Sequence, residues 1–127
     1  MKVLADTHVL IWWLEDSTRL SARAASILGN RQNEILISAV VGWEIAIKVS
    51  AGKINASFVL EDMGGMIERE SFSELPITLE EGVCAGLLPR HHRDPFDRLL
   101  IAQAQLLELP IMSGDAMFDR YGVNRLW

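Results

Sequence analysis

Cysteine is almost missing from this chain. Cys84 is the only one, so no disulfide can close within the chain and no thiolate zinc cluster can form; the default expectation for Cys84 is a buried, inert thiol. Also missing is any apolar run close to the roughly 20 residues that cross a bilayer. Stretches such as Val3 to Ala5 or Ile35 to Ile37 have the length of buried strands, and no membrane span is expected. A secretory signature is lacking as well: Lys2 alone precedes a short apolar run that soon meets Asp6, which points to a cytoplasmic protein. Finally, there is no excess of positive charge. With 12 basic and 17 acidic residues the formal net charge is -5, which excludes a protein that holds nucleic acid by bulk electrostatics and makes any such contact local.

What is present is the composition of a folded protein. Half of the residues are hydrophobic and 23% are charged, far from the balance of disorder. A chain of 127 residues is expected to form one domain and to bury roughly two-thirds of its unfolded surface.

Strand and helix signals alternate along it. Lys2 to Ala5 reads as a strand ending at Asp6-Thr7, followed by a helix over about 8–14. Ser21 can cap a helix running to Gly29, and Glu34 to Ile37 reads as a buried strand. A helix starts at Ser38, carries Trp43, Glu44 and Lys48, and is ended by Gly52. Ser57 to Arg69 reads as one further helix despite Gly64-Gly65, each glycine costing roughly 1 kcal/mol relative to alanine. Phe72 to Ile77 reads as a strand interrupted late by Pro76, Thr78 caps a helix over 79–87, and Asp94-Pro95 is a strong start for a helix reaching about Glu108. Pro110 to Met112 and Val123 to Leu126 supply two last strands. The alternation predicts an α/β fold of three layers, a parallel sheet with helices on both faces.

In such a sheet, sites form outside the carboxyl ends of the strands. Asp6 follows the first strand, Asp115 follows the Ile111-Met112 strand, and Asp97 lies in the first turn of the long helix that Asp94 caps. Glu44 sits among Val, Trp and Ile, where an ionised carboxylate needs a partner. If the four acids converge, their repulsion calls for a divalent cation. Oxygen ligands without cysteine favour Mg²⁺ or Mn²⁺, which suit phosphodiester hydrolysis. Each acid also has a plain structural reading: Asp6 as a helix cap, Glu44 with Lys48 as an i,i+4 pair, Asp97 as a first-turn acid, Asp115 as a turn residue. Asp94 and Asp119 are assigned to structure. Arg90, His91, His92 and Arg93 form a local basic patch suited to gripping phosphates, with Lys48 a further candidate for such a contact and a solvated loop as the alternative. Trp12, Trp13 and Trp43 read as core or interface packing rather than as base-stacking platforms.

Taken together, Leu4-Ala-Asp-Thr-His8, the segment Ser38 to Lys48 around Trp43-Glu44, His91-His-Arg-Asp-Pro-Phe-Asp-Arg98 with its continuation to Ala104, and Ser113-Gly-Asp115 resemble a PIN-domain protein of the VapC-type toxin group. The resemblance covers nearly the whole chain, taken as a single PIN domain over 1–127. It implies a five-stranded parallel sheet and places Asp6, Glu44 and Asp97 at the family's three principal metal-binding acids, with Asp115 at the more variable fourth. It further implies Mg²⁺ or Mn²⁺ dependence, endonucleolytic cleavage of RNA, a homodimer, and a small cognate antitoxin. Thr7 and Ser113 stand where hydroxyls often accompany these acids. A carboxylate after a first strand also occurs in phosphatases that form an aspartyl-phosphate, but those carry a second Asp two residues on, where this chain has His8. Two other readings remain open: a non-catalytic protein- or RNA-binding module on the same fold, and a metal-dependent enzyme acting on DNA or a small phosphorylated molecule.

Overall fold

The computed structural model describes residues 1–127. Five parallel strands form one sheet: β1 (Lys2–Ala5), β2 (Glu34–Ser38), β3 (Ser73–Leu75), β4 (Ile111–Met112) and β5 (Arg125–Leu126), in the order β3-β2-β1-β4-β5. Val3, Leu4 and Ala5 are all fully buried, as expected of a central strand covered on both faces. Val3 lies opposite Ile35 on one side, and Leu4 opposite Ile111 on the other. From β1 the chain builds outward to β2 and β3, then returns past β1 to add β4 and β5. Since parallel crossovers are right-handed, this reversal distributes the helices over both faces, giving the three-layer α/β architecture.

The helices are α1 (Thr7–Glu15), α2 (Ala22–Gly29), α3 (Ala39–Ser50), α4 (Ser57–Leu60), α5 (Met63–Arg69), α6 (Leu79–Leu87) and α7 (Pro95–Leu106), with 3-10 segments at Ser17–Arg19 and Ala116–Tyr121. Their starts are set by side chains that accept from otherwise unpaired amides: Asp6 from Val9 (2.8 Å), Ser21 from Ala24 (3.0 Å), Thr78 from Glu81 (3.2 Å) and Asp94 from Phe96 (2.9 Å). Gly52, at φ 70°, follows α3 in the left-handed conformation that ends helices.

Three expectations are corrected. The helix over 57–69 is two helices, because Asp62 leaves helical geometry (φ -155°) and caps the second from Gly65 N (3.0 Å). Gly65 is required for this cap, since a Cβ there would lie 2.1 Å from the Asp62 carboxylate. Pro76 stops β3 at Leu75, two residues short of the expected end. Cys84 is half-buried rather than sealed in the core. No helix is long and apolar enough to cross a membrane.

Candidate functional site

The strand order reverses between β1 and β4, and both strands end there in polar residues that the core would otherwise exclude. Asp6 follows β1, and its amide donates to Met112 O of β4 (3.1 Å). The Asp6 carboxylate is buried, with 5% of the residue exposed, and Oδ1 accepts from Val9 N. Burial pushes its pKa up; the Ser113 hydroxyl, the Val9 amide and His8 pull it back, and Glu44 adds to the rise. Asp6 is therefore both the cap of α1 and a buried acid, so its two readings describe one residue.

Glu44, only 2% exposed, comes from the inward side of α3. Thr7 Oγ1 donates to its Oε1 (2.5 Å), and the Lys48 ammonium pairs with its Oε2 one turn on. The expected i,i+4 pair exists, yet it is no surface pair. Burial works against the charge on Lys48, but hydrogen bonding and attraction to Glu44 outweigh it and raise the Lys48 pKa.

Asp97 stands in the first turn of α7. Burial is the first cause that lifts its carboxyl, to about 7, with repulsion from Asp94 and Glu44 adding to it and His92 holding it down. His92 Nε2 lies 2.7 Å from Asp97 Oδ2. Ligand atoms of His92, Asp97 and Asp115 all lie within 4.8 Å of one another. Asp6 and Glu44 fall outside that tight trio but interact electrostatically with each other, and Glu44 with Asp97. Asp115 is exposed, accepts from Met117 N (2.9 Å), and is positioned by Ser113 Oγ, which accepts the Asp115 amide (3.0 Å).

Four carboxylates and one imidazole thus gather at the carboxyl edge of the sheet, with Lys48 as the cation paired to them. The set is rich in hard oxygen donors and short of positive charge, and two of its acids are pushed towards protonation. That chemistry fits a divalent cation such as Mg²⁺ or Mn²⁺, with the His92 nitrogen making Mn²⁺ equally acceptable.

The basic patch splits. Arg90 and Arg93 are exposed and, with His92 and Arg98, line a groove of about 500 Å³. His91 stands edge-on to Tyr121 (5.2 Å), while Tyr121 Oη donates to Pro89 O (2.7 Å) and accepts from His92 N (2.8 Å). The loop is exposed to solvent, yet its backbone is held in place through Tyr121. Of the tryptophans, Trp13 is half-buried and donates to Glu70 (2.9 Å). Trp43 is 53% exposed, with its ring edge-on to Phe96, so core packing is corrected there. Trp12 packs against the core on one side, as expected, and on the other lines a cleft with Asp6 and Asp115. Sequence reasoning missed Trp127 and Arg19, which share that cleft, because only the fold brings them to α1.

The family profile described as PIN domain matches residues 3–124. No curated protein sequence matches the chain. Among solved structures, FitAcB from Neisseria gonorrhoeae is similar with a TM-score of 0.71 at 18% identity, covering 98% of this chain and 96% of its own. VapBC2 from Rickettsia felis, bound to a DNA fragment from their promoter, gives 0.71 at 14% identity, with 99% and 98% covered. VapBC-1 from nontypeable Haemophilus influenzae gives 0.67 at 15%, with 99% and 97% covered. At such identities the likeness is one of fold.

Proposed function

This chain belongs to the PIN-domain family, and from that membership we propose that it is a metal-dependent endoribonuclease, the toxin of a toxin-antitoxin pair. The observation that carries the reading is the gathering of Asp97, Asp115 and His92 within 4.8 Å, beside the buried Asp6 and Glu44. Asp6, Glu44, Asp97 and Asp115 are the residues that would hold Mg²⁺ or Mn²⁺. A bound ion of this kind lowers the pKa of a water and offsets the charge that develops on a phosphodiester.

The remaining work falls to the chain's own groups. Ser113 and Thr7 hold Asp6 and Glu44 in place, and His92 orients Asp97. Lys48, kept charged by Glu44, supplies a cation at the cleft edge. Arg90 and Arg93 extend from the groove beside His92, where they suit the sugar-phosphate backbone of RNA. His91 is engaged with Tyr121, so the phosphate contact is assigned to the arginines first. This local positive strip offsets a chain that is acidic overall.

Partners follow from surfaces that the fold leaves open. Leu79, Val83 and Leu87 recur on one side of α6 and are 87%, 55% and 81% exposed, a stripe that supports a homodimer. The similar VapBC and FitAcB structures support a small antitoxin as the second partner. A cytoplasmic setting is part of the same reading.

The test is cleavage of a mixed pool of structured and single-stranded RNA by purified, antitoxin-free protein, with Mg²⁺, with Mn²⁺ and with chelator. Metal-dependent cutting that Asp97→Asn reduces at least about a hundredfold is expected, the size of loss seen when a main transition-state stabiliser is removed. A folded protein that cuts nothing under any of these conditions would move the reading to a binding module.

A further inference from the structure

Beside the acids stands a wall of aromatic rings that the metal chemistry does not use. The Trp12 and Trp127 centroids are 6.1 Å apart with the planes inclined at 57°, and His8 lies 5.7 Å from Trp12. The Arg19 guanidinium sits over the Trp12 ring, 4.6 Å from its centroid. These four residues line a cleft of about 420 Å³ whose remaining wall includes Asp6 and Asp115. Gly114 lets Trp127 lie close against the backbone: a Cβ at that position would come within 3.1 Å of the indole, tighter than an ordinary contact.

The rings are not sealed packing. Both indoles are only half-buried, His8 and Arg19 are exposed, and Arg19 makes no ion pair with any carboxylate. The cleft therefore offers π faces, one free guanidinium, and an opening onto the acids. A flat aromatic group joined to a phosphate matches all three features.

We propose that this cleft is a nucleobase subsite, in which the base next to the phosphate held at the acids stacks on Trp127, with the inclined Trp12 ring closing its edge and Arg19 lifting from Trp12 to meet it. The subsite rests on the nuclease reading for its place along the strand, but its recognition chemistry is its own. Stacking needs an unpaired base with a free face, so the subsite selects single-stranded over duplex RNA and, because every base has such a face, tolerates many sequences.

The experiment is a titration of tryptophan fluorescence in the purified protein, with Ca²⁺ in place of Mg²⁺, against a short single-stranded RNA and the duplex of the same sequence. Quenching by the single strand, with affinity about tenfold above the duplex, is expected from the stacking of one base. Trp127→Leu should remove that preference, and Trp127→Phe should restore most of it. Equal affinity for the two forms, no quenching by either, or undiminished preference in Trp127→Leu overturns the proposal. The wild-type comparison of strand and duplex decides even if Trp127→Leu does not fold. A protein that cuts RNA with Mg²⁺ yet shows no ring-dependent preference keeps the nuclease reading and loses the subsite. Ring-dependent binding without cutting does the reverse.

Discussion

Glu44 is held from two sides, by the Thr7 hydroxyl and by the Lys48 ammonium, in a position where only 2% of it meets solvent. Those two contacts are what allow an ionised acid to sit among Val40, Val41 and Ile45. Removing one member of a buried pair leaves the other charge uncompensated and costs more than the pair contributes. Lys48→Met is therefore expected to lower stability by about 2–3 kcal/mol, below the range for a fully buried pair because the lysine retains some solvent. Urea unfolding in chelator measures it, and Glu44→Gln combined with Lys48→Met should recover most of the loss. A single Lys48→Met with an unchanged midpoint would mean that the Lys48 ammonium does not stabilise the fold through Glu44.

Among the elements, Arg98 of α7 ties down the end of α6 and the loop that follows it. Arg98 Nη1 donates to Pro89 O (3.0 Å) and His92 O (3.2 Å), while Nη2 donates to Ala85 O (2.9 Å) and Leu88 O (2.8 Å). The fork thus satisfies carbonyls at the end of α6 and pins the loop that carries His92 to Asp97. Lysine has the charge but not the planar spread of donors. Arg98→Lys is expected to lose about 2 kcal/mol, within the cost of leaving buried carbonyls unpaired, and to weaken metal binding because His92 loses one of its two anchors and keeps only Tyr121. Calorimetric titration with Mn²⁺ alongside urea unfolding reads both effects. These elements also mark what was legible in the sequence. Asp94-Pro95, Thr78 and Ser21 could be read as caps because a cap is settled within four residues. The break at Asp62 was not, since a helix and a capped turn compete there over Gly64-Gly65 with little between them. Asp6, Glu44, Asp97 and Asp115 could be singled out from strand ends and from an acid in an apolar helix. His92 against Asp97, the Gln103 amide donating to the buried Glu81 (2.8 Å), and Trp127 beside Trp12 required the chain to be folded, because no local pattern encodes them.

At the scale of the whole molecule, gathering the acids makes the metal-free fold sensitive to pH. Asp97 has an ordinary value of 3.8 raised to about 7, mainly by burial, and Asp6 is raised in the same direction. Between these limits the unfolded chain is ionised while the folded chain keeps its proton, so the folded state binds more protons and stability falls as pH rises from about 4 to about 7. Above the raised value no further loss comes from Asp97. The lowered groups, Asp62 and Asp119, lie at the surface, and their small contribution is lost only as pH falls below their ordinary value of 3.8, outside this window. A divalent cation that takes the proton's place should remove the penalty, and its effect must grow as the proton leaves. Metal-free protein is therefore expected to melt at a higher temperature at pH 5.5 than at pH 8. Mn²⁺ should raise the midpoint by about 5 °C or more at pH 8, the shift that roughly 1 kcal/mol gives a domain of this size, and by much less at pH 5.5. Asp97→Asn, which cannot ionise, should flatten the metal-free profile. A wild-type profile that rises from pH 5.5 to 8, with an equal gain from Mn²⁺ at both, would mean that the acids are paired by something other than a metal ion.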